Sequence, residues 1–466
     1  MKPYIALFIA LFLTPLHAAE PVIFHSTLAD QGWYQANPTL LKQDLNSLLL
    51  TASVNAVSNP IAIIMPHAGY GYSGSVMASG IKAIQKSQFD RIIVIGPSHH
   101  QELRNQAAVL LADKIETPMG LAPLDQKAIR YLLSCKEIVN RPDLHPKEHS
   151  VQIEIPWIQM AFAHTPIVPI VLGQIESEYL PRFASILRPL LTPKTLLIIS
   201  SDFTHYGEGY GYVPFKEPIF ENIQRLDATA LQIISRKKLF EFQSFIDKTG
   251  DTICGHMPIQ LLLELLPDNA LPHQIAYRTS AEINGDWSHS VSYDALVFSG
   301  SWKEDGLGLT YPQTEKEGKI CLAYVRQCIN TYLGKESAPA MPTLSPSLNQ
   351  KRSVFVTLKK NGQLRGCIGS IFPSQSLVDE IRTQAINAAV NDPRFPPLSQ
   401  PELKECRIEL SILSAIKPCN SYLDIRLGKD GIILKKGSHQ ALFLPQVARD
   451  QDRPWQLIVI FCLQIR

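Results

Sequence analysis

Three continuous apolar runs, each followed by a short polar motif, restrict the fold of this chain more than any other feature. The runs occupy residues 61–65 (IAIIM), 91–96 (RIIVIG) and 195–200 (TLLIIS). Apolar runs of this length without alternation are typical of strands that are buried on both faces of a parallel sheet. Segments with helical patterns alternate with them at residues 40–50, 74–85, 125–133, 221–234 and 258–266. We therefore predict a three-layer α/β domain with a mostly parallel central sheet, covered by helices on both faces.

The polar motifs place potential metal ligands directly after the predicted strands. The side chains concerned are His67, His99 with His100, Asp202 and His205, and a separate loop carries Cys254. In open α/β sheets, ligands bind in the crevice beyond the carboxyl ends of the strands. Imidazole and thiolate groups favour iron, copper or zinc over magnesium or calcium. A single strand-end histidine is often structural, but the joint occurrence of three strand-end motifs and the Cys254 loop indicates a shared site.

Residue types and spacing allow more than one role for several side chains of this site. Asp202 and His205 are suited to orienting a ligand, to hydrogen bonding behind a metal ligand, or to general-base chemistry. His149, with Ser150 and Glu154, is a further candidate, although residues 147–150 fit the start of a helix equally well. The glycine-rich residues 69–74 would let the backbone approach a ligand closely. They lack a Gly-Lys-Ser/Thr sequence, which argues against a P-loop.

The first 19 residues differ from the rest of the chain. Lys2 precedes an apolar run at residues 4–13, and small residues follow at 18–19. The run is too short to span a bilayer comfortably, so we predict a secretory signal peptide at residues 1–19. The expected location is periplasmic or extracellular, without a stable membrane span after cleavage. An uncleaved N-terminal anchor is the alternative.

Composition and cysteine spacing exclude some classes of partner and site. The formal net charge is +2, and no Lys/Arg cluster is interleaved with aromatic residues, so we predict no nucleic-acid binding. The eight cysteines form no Cys-x-x-Cys pair, which disfavours a structural zinc ribbon. Most of them are expected to be small buried residues, and only Cys254 and Cys367 lie in motifs that suggest chemistry.

A polar segment with Gly and Pro at residues 303–313 predicts a linker. We place the first domain at residues 20–301, the linker at 302–315 and a second, α+β domain at 316–466. The second domain is expected to contain helices at residues 316–332 and 377–390 and strands at 354–359 and 406–413. Asn361-Gly362 between strand-like runs predicts one hairpin, and residues 428–434 predict another.

The motifs of the first domain also resemble those of a known family. PHAGYGYSG, GPSHH, EHSVQIEIPW, SSDFTHYG and TICGHMPI occur in the order and spacing of the Memo family, over about residues 21–300. This family, also called AmmeMemoRadiSam system protein B, is similar in fold to class III extradiol dioxygenases. The resemblance implies an iron or copper site formed by His67, His99 and Cys254, with Asp202 and His205 nearby. Because a thiol replaces the carboxylate ligand of those dioxygenases, dioxygenase activity does not follow from the fold.

The second domain resembles the AMMECR family, AmmeMemoRadiSam system protein A, over about residues 316–447. The similarity is carried by LRGCIGS at 364–370, NDPRFPP at 391–397 and LPQV at 444–447. The fusion implies a shared system, with a radical-SAM protein as an expected partner. Arg365 is suited to holding an anion, Gly366 to a tight backbone and Cys367 to acting as a reactive thiol. Alternatively, this motif is a tight turn with a structural cysteine. Residues 448–466 depart from the family pattern, so we expect an altered or truncated C-terminus.

Together these features predict a metal-dependent redox protein that contains iron or copper, with zinc less expected. Its substrate would be a small molecule or a group derived from a peptide. A binding or assembly module that retains the fold without turnover is the main alternative. Metal-assisted hydrolysis would be favoured if zinc occupied the site.

Overall fold

The structure is a computed structural model that describes residues 21–302, 311–345, 348–372, 374–414, 416, 425, 430–436 and 439–443. The predicted signal peptide and the predicted altered C-terminus lie outside the described residues, as do residues 303–310 of the predicted linker. Within the described ranges, no helix combines the length and the apolar character needed to cross a bilayer.

Strands and helices alternate through residues 21–302, as the apolar runs predict. The strands are β1 (Ile23–His25), β2 (Pro60–Met65), β3 (Arg91–Pro97), β4 (Ala107–Val109), β5 (Lys114–Thr117), β6 (Gly120–Pro123), β7 (Ile138–Asn140), β8 (Ile167–Leu172), β9 (Thr195–Ser200), β10 (His205–Gly207), β11 (Leu271–Thr279) and β12 (His289–Ser299). The helices are α1 (Pro38–Thr51), α2 (Tyr70–Ile84), α3 (Gln126–Leu133), α4 (His149–Gln152), α5 (Ile155–Ala161), α6 (Leu180–Leu187), α7 (Ile219–Ser235), α8 (Leu239–Thr249), α9 (His256–Leu265) and α10 (Ala281–Asn284).

The main sheet of the described residues has nine strands in the order β10-β12-β2-β9-β3-β8-β4-β7, with β11 beside β12. The central strands β2, β9, β3 and β8 are parallel to one another. On one side β12 runs antiparallel to β2, and on the other β4 runs antiparallel to β8. The sheet is therefore mixed, and the predicted parallel arrangement applies to its centre. On the β2 side, the sheet stops being parallel at β12, because β12 runs antiparallel to both β2 and β11.

Burial explains why the centre of the sheet is uniformly apolar. Every residue of β2, β8 and β9 is buried, so each strand loses solvent on both faces. Helix α2 packs against β2, β11 and β12, and helix α9 packs against β3 and β9. The first region is thus an α/β unit with a large mixed sheet. The finer three-layer description stays a prediction.

The second region is α+β, as the sequence predicts. Its elements are α11 (Tyr311–Leu333), β13 (Val354–Lys360), β14 (Gln363–Gly369), α12 (Leu377–Val390), α13 (Gln400–Glu405), β15 (Cys406–Ile412), β16 (Ile432–Lys436) and β17 (His439–Phe443). Strands β14, β13 and β15 form an antiparallel sheet in that order. Buried side chains of α11 and α12 form a hydrophobic core with β13.

The two predicted hairpins have different outcomes. Asn361 and Gly362 join β13 to β14 with φ angles of 51° and 78°, the positive values that a two-residue hairpin turn requires. The second hairpin lies later than predicted, because β16 and β17 pair with Lys436 opposite His439. Of the predicted segment, residues 432–434 belong to the first strand of this hairpin, and residues 428 and 429 lie outside the described residues.

Candidate metal site

The topology brings the ends of β2, β9 and β3 together, because these strands are adjacent and parallel. His67 lies two residues beyond β2, and His99 lies two residues beyond β3. Their imidazole rings meet edge to face, with ring centroids 5.1 Å apart. Two of the histidines predicted as ligands therefore converge at the carboxyl edge of the sheet.

His149 completes a group of three histidines that could hold a metal ion. One ring nitrogen from each of His67, His99 and His149 lies within 4.8 Å of the others. The His149 ring is stacked between His99, at 4.5 Å between centroids, and Trp33, at 4.3 Å. In the part of the chain that the structure describes, this is the one such group of three or more potential ligands.

A close approach between α4 and β3 positions His149. A Cβ atom added to Gly96 would lie 2.3 Å from Ser150 Oγ, so the glycine is needed for this packing. The Ser150 hydroxyl donates to Pro97 O at 2.8 Å, which fixes the start of α4 against the end of β3. Residues 147–150 therefore have both of the roles considered for them. They lead into helix α4, and they bring His149 to the site.

Glu148 holds His99 from behind. Its Oε2 accepts from the backbone N–H of His99 at 2.6 Å, and its Oε1 lies 2.8 Å from His99 Nδ1. Burial alone would raise the pKa of this carboxyl, but the hydrogen bonds that it accepts from the His99 ring and from the backbone of His99 and Ser150 outweigh the effect of burial and lower the pKa to about 2. An ionised carboxylate only accepts hydrogen bonds, so Nδ1 carries the ring proton. His99 Nε2 is left with its lone pair available, the arrangement typical of metal-binding histidines.

Polar groups contact His67 at its backbone N–H and at both ring nitrogens. Its backbone N–H donates to Asp202 Oδ1 at 2.7 Å, and its Nδ1 lies 2.9 Å from Ser200 Oγ. Its Nε2 lies 3.1 Å from Cys254 Sγ. Burial and the neighbouring histidines lower the pKa of His67 well below its usual value, so this ring is neutral. Burial likewise lowers the pKa of His149 to about 4.

Cys254 reaches the site on the loop before α9. A Cβ atom on Gly255 would lie 2.3 Å from Ser201 Cβ, so the glycine allows the loop to lie directly against the end of β9. The Asp202 backbone N–H donates to Cys254 Sγ at 3.3 Å. Burial, and then the charge of Asp202, raise the pKa of the Cys254 thiol well above its usual value. Cys254 thus lies beside His67 as a neutral thiol, and its role as a metal ligand stays a prediction.

His205 and Asp202, the predicted supporting residues, have distinct environments. His205 Nδ1 lies 2.9 Å from Phe203 O and 3.1 Å from Thr252 O. Carbonyl oxygens only accept, so Nδ1 carries the proton and Nε2 is the basic nitrogen. Burial lowers the pKa of His205, and it raises the pKa of Asp202 to about 7.

A tyrosine covers His205. The Tyr210 ring meets His205 edge to face at 5.1 Å and stacks on His289 at 4.2 Å. Tyr210 is 38% exposed, so it forms part of the surface beside His205.

The second predicted site lies on a strand and not in a tight turn, because Arg365, Gly366 and Cys367 belong to β14. The Arg365 guanidinium forms two hydrogen bonds with the Glu402 carboxylate, at 2.8 and 3.1 Å. A Cβ atom on Gly366 would lie 2.2 Å from Ala388 O, so this glycine lets α12 pack against β14.

The NDPRFPP motif packs against the same strand. Asp392 accepts from the backbone N–H of Cys367 at 2.8 Å, and Arg394 donates to Cys367 O at 2.9 Å. Cys367 Sγ lies 3.2 Å from Thr357 Oγ1. Two of the three motifs that carried the second resemblance, LRGCIGS and NDPRFPP, thus form one contact network. Arg365 has a structural partner in it, and anion binding by Arg365 stays a prediction.

Sequence reasoning did not single out Glu148 or Ser200, which orient the two histidines. Glu148 stands inside the motif EHSVQIEIPW, so its position next to His149 was a usable signal. Ser200 is the last residue of an apolar strand, and nothing in its sequence context distinguishes it from a strand terminus.

Comparison with known proteins agrees with the motifs. A family model described as Memo-like protein matches residues 26–297, and one described as AMMECR1 matches residues 322–463. A Xenopus laevis protein named MEMO1 is 31% identical over 281 residues, which cover 57% of this chain and 93% of that protein. A Caenorhabditis elegans memo-1 homolog is 30% identical over 282 residues, or 57% of this chain and 80% of the relative.

A solved structure also matches part of the chain. The crystal structure of an uncharacterized protein from Pyrococcus horikoshii is 33% identical and covers 29% of this chain and 74% of that chain. Its TM-score of 0.28 is too low to support a conclusion about the fold.

Proposed function

The chain belongs to the Memo-like protein family, and from this membership and the geometry of its histidines we propose that its first region is a metal-binding, dioxygenase-like redox protein. The observation that carries the proposal is the convergence of His67, His99 and His149 within 4.8 Å. Iron or copper is the proposed metal, because imidazole and thiolate donors favour these ions over magnesium or calcium. Zinc is the less favoured ion.

The side chains fit such an ion in two respects. Burial lowers the pKa of His67 and of His149, which favours the neutral forms of these two rings, and His99 presents Nε2 because its Nδ1–H is held by Glu148. Loss of the hydrogen-bond partner of a metal-binding histidine lowers metal affinity by about 10–100-fold. The hydrogen bond between Glu148 and His99 is therefore proposed as part of the site. His67 and His99 are the two ligands common to the predicted set and to the observed group. Cys254 and His149 are the two candidates for a third position.

The chain's own residues define what the site can do. Bound iron or copper would supply one-electron redox chemistry and a Lewis-acidic position for a substrate oxygen. His205 is the proposed base, because its Nδ1–H is held by two carbonyl groups and its Nε2 has a free lone pair. Asp202 orients the His67 backbone and the sulfur of Cys254. Tyr210 forms an aromatic wall beside His205, suited to a small planar or peptide-derived substrate.

The second region would supply an accessory function in the same system. We propose that both regions act in the AmmeMemoRadiSam system and that a radical-SAM protein is a partner. The proposed location is outside the cytoplasm, after export. A non-catalytic module that holds a metal or a modified side chain is the second candidate. It is favoured by the neutral thiol of Cys254, because the resemblance to extradiol dioxygenases would imply a carboxylate as the third ligand.

Metal quantification after anaerobic purification tests the proposal. We expect the wild type to retain iron or copper and His67→Ala to lose it, while His25→Ala, which changes an exposed histidine on β1, retains it. His149→Ala and Cys254→Ser, measured side by side, identify the third ligand. A wild type without iron, copper or zinc, or equal retention by His67→Ala, would refute the metal site. Metal retention without oxygen uptake across a substrate screen would favour the binding module.

A further inference from the structure

The loop between α8 and α9 carries Cys254, and it also holds the proposed base. The Thr252 hydroxyl accepts from the backbone N–H of His205 at 2.8 Å and donates to His205 O at 2.9 Å. The Thr252 carbonyl oxygen lies 3.1 Å from His205 Nδ1. Farther along the loop, the Gly255 N–H donates to Ser201 Oγ at 3.0 Å. The position of this loop therefore sets the positions of both His205 and Cys254.

Asp251 attaches the start of this loop to the segment that follows β9. Its side chain is buried, and its Oδ1 lies 3.0 Å from the Thr204 hydroxyl, which also lies 2.6 Å from Asp227 Oδ1. A hydroxyl donates one proton, so it donates to only one of the two carboxyl groups. Asp227 accepts from two further donors, the Thr204 N–H at 3.2 Å and Tyr277 Oη at 2.7 Å, and these hydrogen bonds oppose the effect of burial on its pKa. Asp227 is therefore the ionised partner, and the contact between Asp251 and Thr204 uses the proton of Asp251.

The titratable groups around this contact favour the protonated form of Asp251. Burial, and then the charge of Asp227 on α7, raise the pKa of Asp251 from 3.8 to about 7. Tyr212, shortly after β10, also faces the pair, and burial raises its pKa to about 12, so it is neutral. Tyr277 of β11 and Asp294 of β12 act on Asp227, and burial raises the pKa of both, so they are neutral as well.

Loss of the Asp251 proton would break the contact with Thr204. Two carboxylates would then share a single hydroxyl proton in a buried place, where like charges repel strongly. The second carboxyl oxygen of Asp251, Oδ2, is buried and has no hydrogen-bond partner within the described part of the chain, so no donor there compensates the new charge. Gly250, the preceding residue, has a left-handed φ of 63°, which glycine adopts without strain. The start of the loop is therefore able to turn away from Thr204 at this glycine.

We propose that Asp251 is a latch, which holds the Cys254 loop closed while it is protonated and releases the loop when it loses its proton. On release, the O–H bond of Asp251 breaks and the proton passes to solvent water. Asp251 is a positioning residue, since it lies three residues before Cys254 and acts through the backbone of the loop. Release moves Cys254 away from His67 and Thr252 away from His205. The effect of the latch on the metal site rests on the proposed function, whereas the latch itself consists of contacts within the chain.

The latch gives the site a pH dependence of defined sign. The closed loop keeps the Asp251 proton up to about pH 7, whereas an open, solvated Asp251 loses it near its ordinary pKa of 3.8. Opening therefore becomes easier as the pH rises through this window. Between pH 6 and pH 8, these two pKa values correspond to an increase of about tenfold in the equilibrium constant for opening.

Hydrogen exchange measured by mass spectrometry on the full-length, metal-free protein tests the latch. The exchange rate of the peptide that contains residues 250–256 is measured at pH 6 and at pH 8 and is divided by the intrinsic exchange rate at each pH. We expect this corrected rate to rise by about tenfold in the wild type and to exceed that of β9 at both pH values. Equal corrected rates at the two pH values overturn the proposal. A loop that exchanges no faster than β9 also overturns it, because exchange would then report unfolding of the whole region.

Three variants separate Asp251 from the other acidic residues. Asp251→Asn should have equal corrected rates at pH 6 and pH 8, because the asparagine keeps an N–H donor for Thr204 and has no proton to lose. Asp247→Asn, the same change at an exposed position of α8, should follow the wild type. Asp202→Asn should also follow the wild type, although burial raises the pKa of Asp202 to about 7 and its backbone N–H donates to Cys254 Sγ. A tenfold rise that persists in Asp251→Asn, or that disappears in Asp202→Asn, overturns the proposal.

The measurement depends neither on a bound metal ion nor on the folding of Asp251→Asn, because the wild type alone is able to refute the latch. Zn²⁺ titration of the same wild-type protein separates the two proposals. A wild type that shows the tenfold rise but binds no Zn²⁺ refutes the proposed metal site and supports the latch. A wild type that binds Zn²⁺ without the rise overturns the latch and supports the metal site.

Discussion

Asp251→Asn should make the protein less sensitive to pH, because Asp251 belongs to a buried carboxyl pair that shares Thr204. The Thr204 hydroxyl lies 2.6 Å from Asp227 Oδ1 and 3.0 Å from Asp251 Oδ1. A hydroxyl has a single proton to donate, so one of these contacts needs a proton from a carboxyl group. Asp227 also accepts from the Thr204 backbone N–H and from Tyr277 Oη. Asp227 is therefore the carboxylate and Asp251 the acid.

The pKa of Asp251 sets the size and the sign of the effect. Burial, and then the charge of Asp227, raise it from 3.8 to about 7. The folded state therefore holds a proton that the unfolded state loses between pH 4 and 7, so the wild type loses stability as the pH rises through this window. A difference of about three pKa units corresponds to about 4 kcal/mol as an upper limit. The asparagine side chain of the variant keeps an N–H donor for Thr204 and has no proton to lose.

Urea denaturation from pH 4 to pH 8 measures the effect as the free energy of unfolding of the first region. We expect Asp251→Asn and the wild type to be similar at pH 4, and the variant to become the more stable protein toward pH 8. Asp247→Asn, the same change at an exposed position of α8, is the control and should follow the wild type. Parallel curves for Asp251→Asn and the wild type would refute the assignment. If Asp227→Asn flattened the curve instead, the acid and the carboxylate would be reversed.

Two further predictions concern the metal site and use Zn²⁺ affinity as the measurement. Glu148→Gln should lower the affinity by about 10–100-fold, because the neutral amide no longer fixes the His99 ring with its proton on Nδ1; unchanged affinity would show that Glu148 does not orient this ligand. Gly255→Ala should weaken Zn²⁺ binding and destabilise the loop, because its Cβ would lie 2.3 Å from Ser201 Cβ. The matched control is Gly71→Ala, whose Cβ would meet nothing within 4 Å. Equal Zn²⁺ affinity in the two variants would contradict this account.

The edge of the sheet that carries the site was predictable, because strands buried on both faces have a recognisable sequence pattern. Strands β2 and β9 are buried on both faces, so they appear as continuous apolar runs, and the first polar residues after them mark the strand ends. The placement of His67 and His99 follows from that mark together with parallel pairing. The direction of β12 has no such mark, since a buried antiparallel strand has the same apolar composition as a parallel one.

The contacts that select particular side chains were not predictable in the same way. His149 reaches the site because Gly96 lets Ser150 approach the end of β3, a contact between segments more than 50 residues apart. A glycine in a strand predicts a close approach but does not identify the partner. Arg365 likewise appeared free to hold an anion, because its partner Glu402 is 37 residues away in sequence.

The segment that carries Glu148 and Glu154 shows how one short motif holds two buried carboxyl groups in different charge states. Glu148 caps α4 by accepting from the Ser150 N–H at 3.0 Å, and the same carboxylate holds His99. Its hydrogen bonds compensate for its burial, so it remains charged. Glu154, six residues later, is fully buried, and this burial raises its pKa well above its usual value, so it is neutral. One short motif therefore holds one charged and one neutral carboxyl group, and the charged one gives the candidate site a negative charge beside His99 before any cation binds.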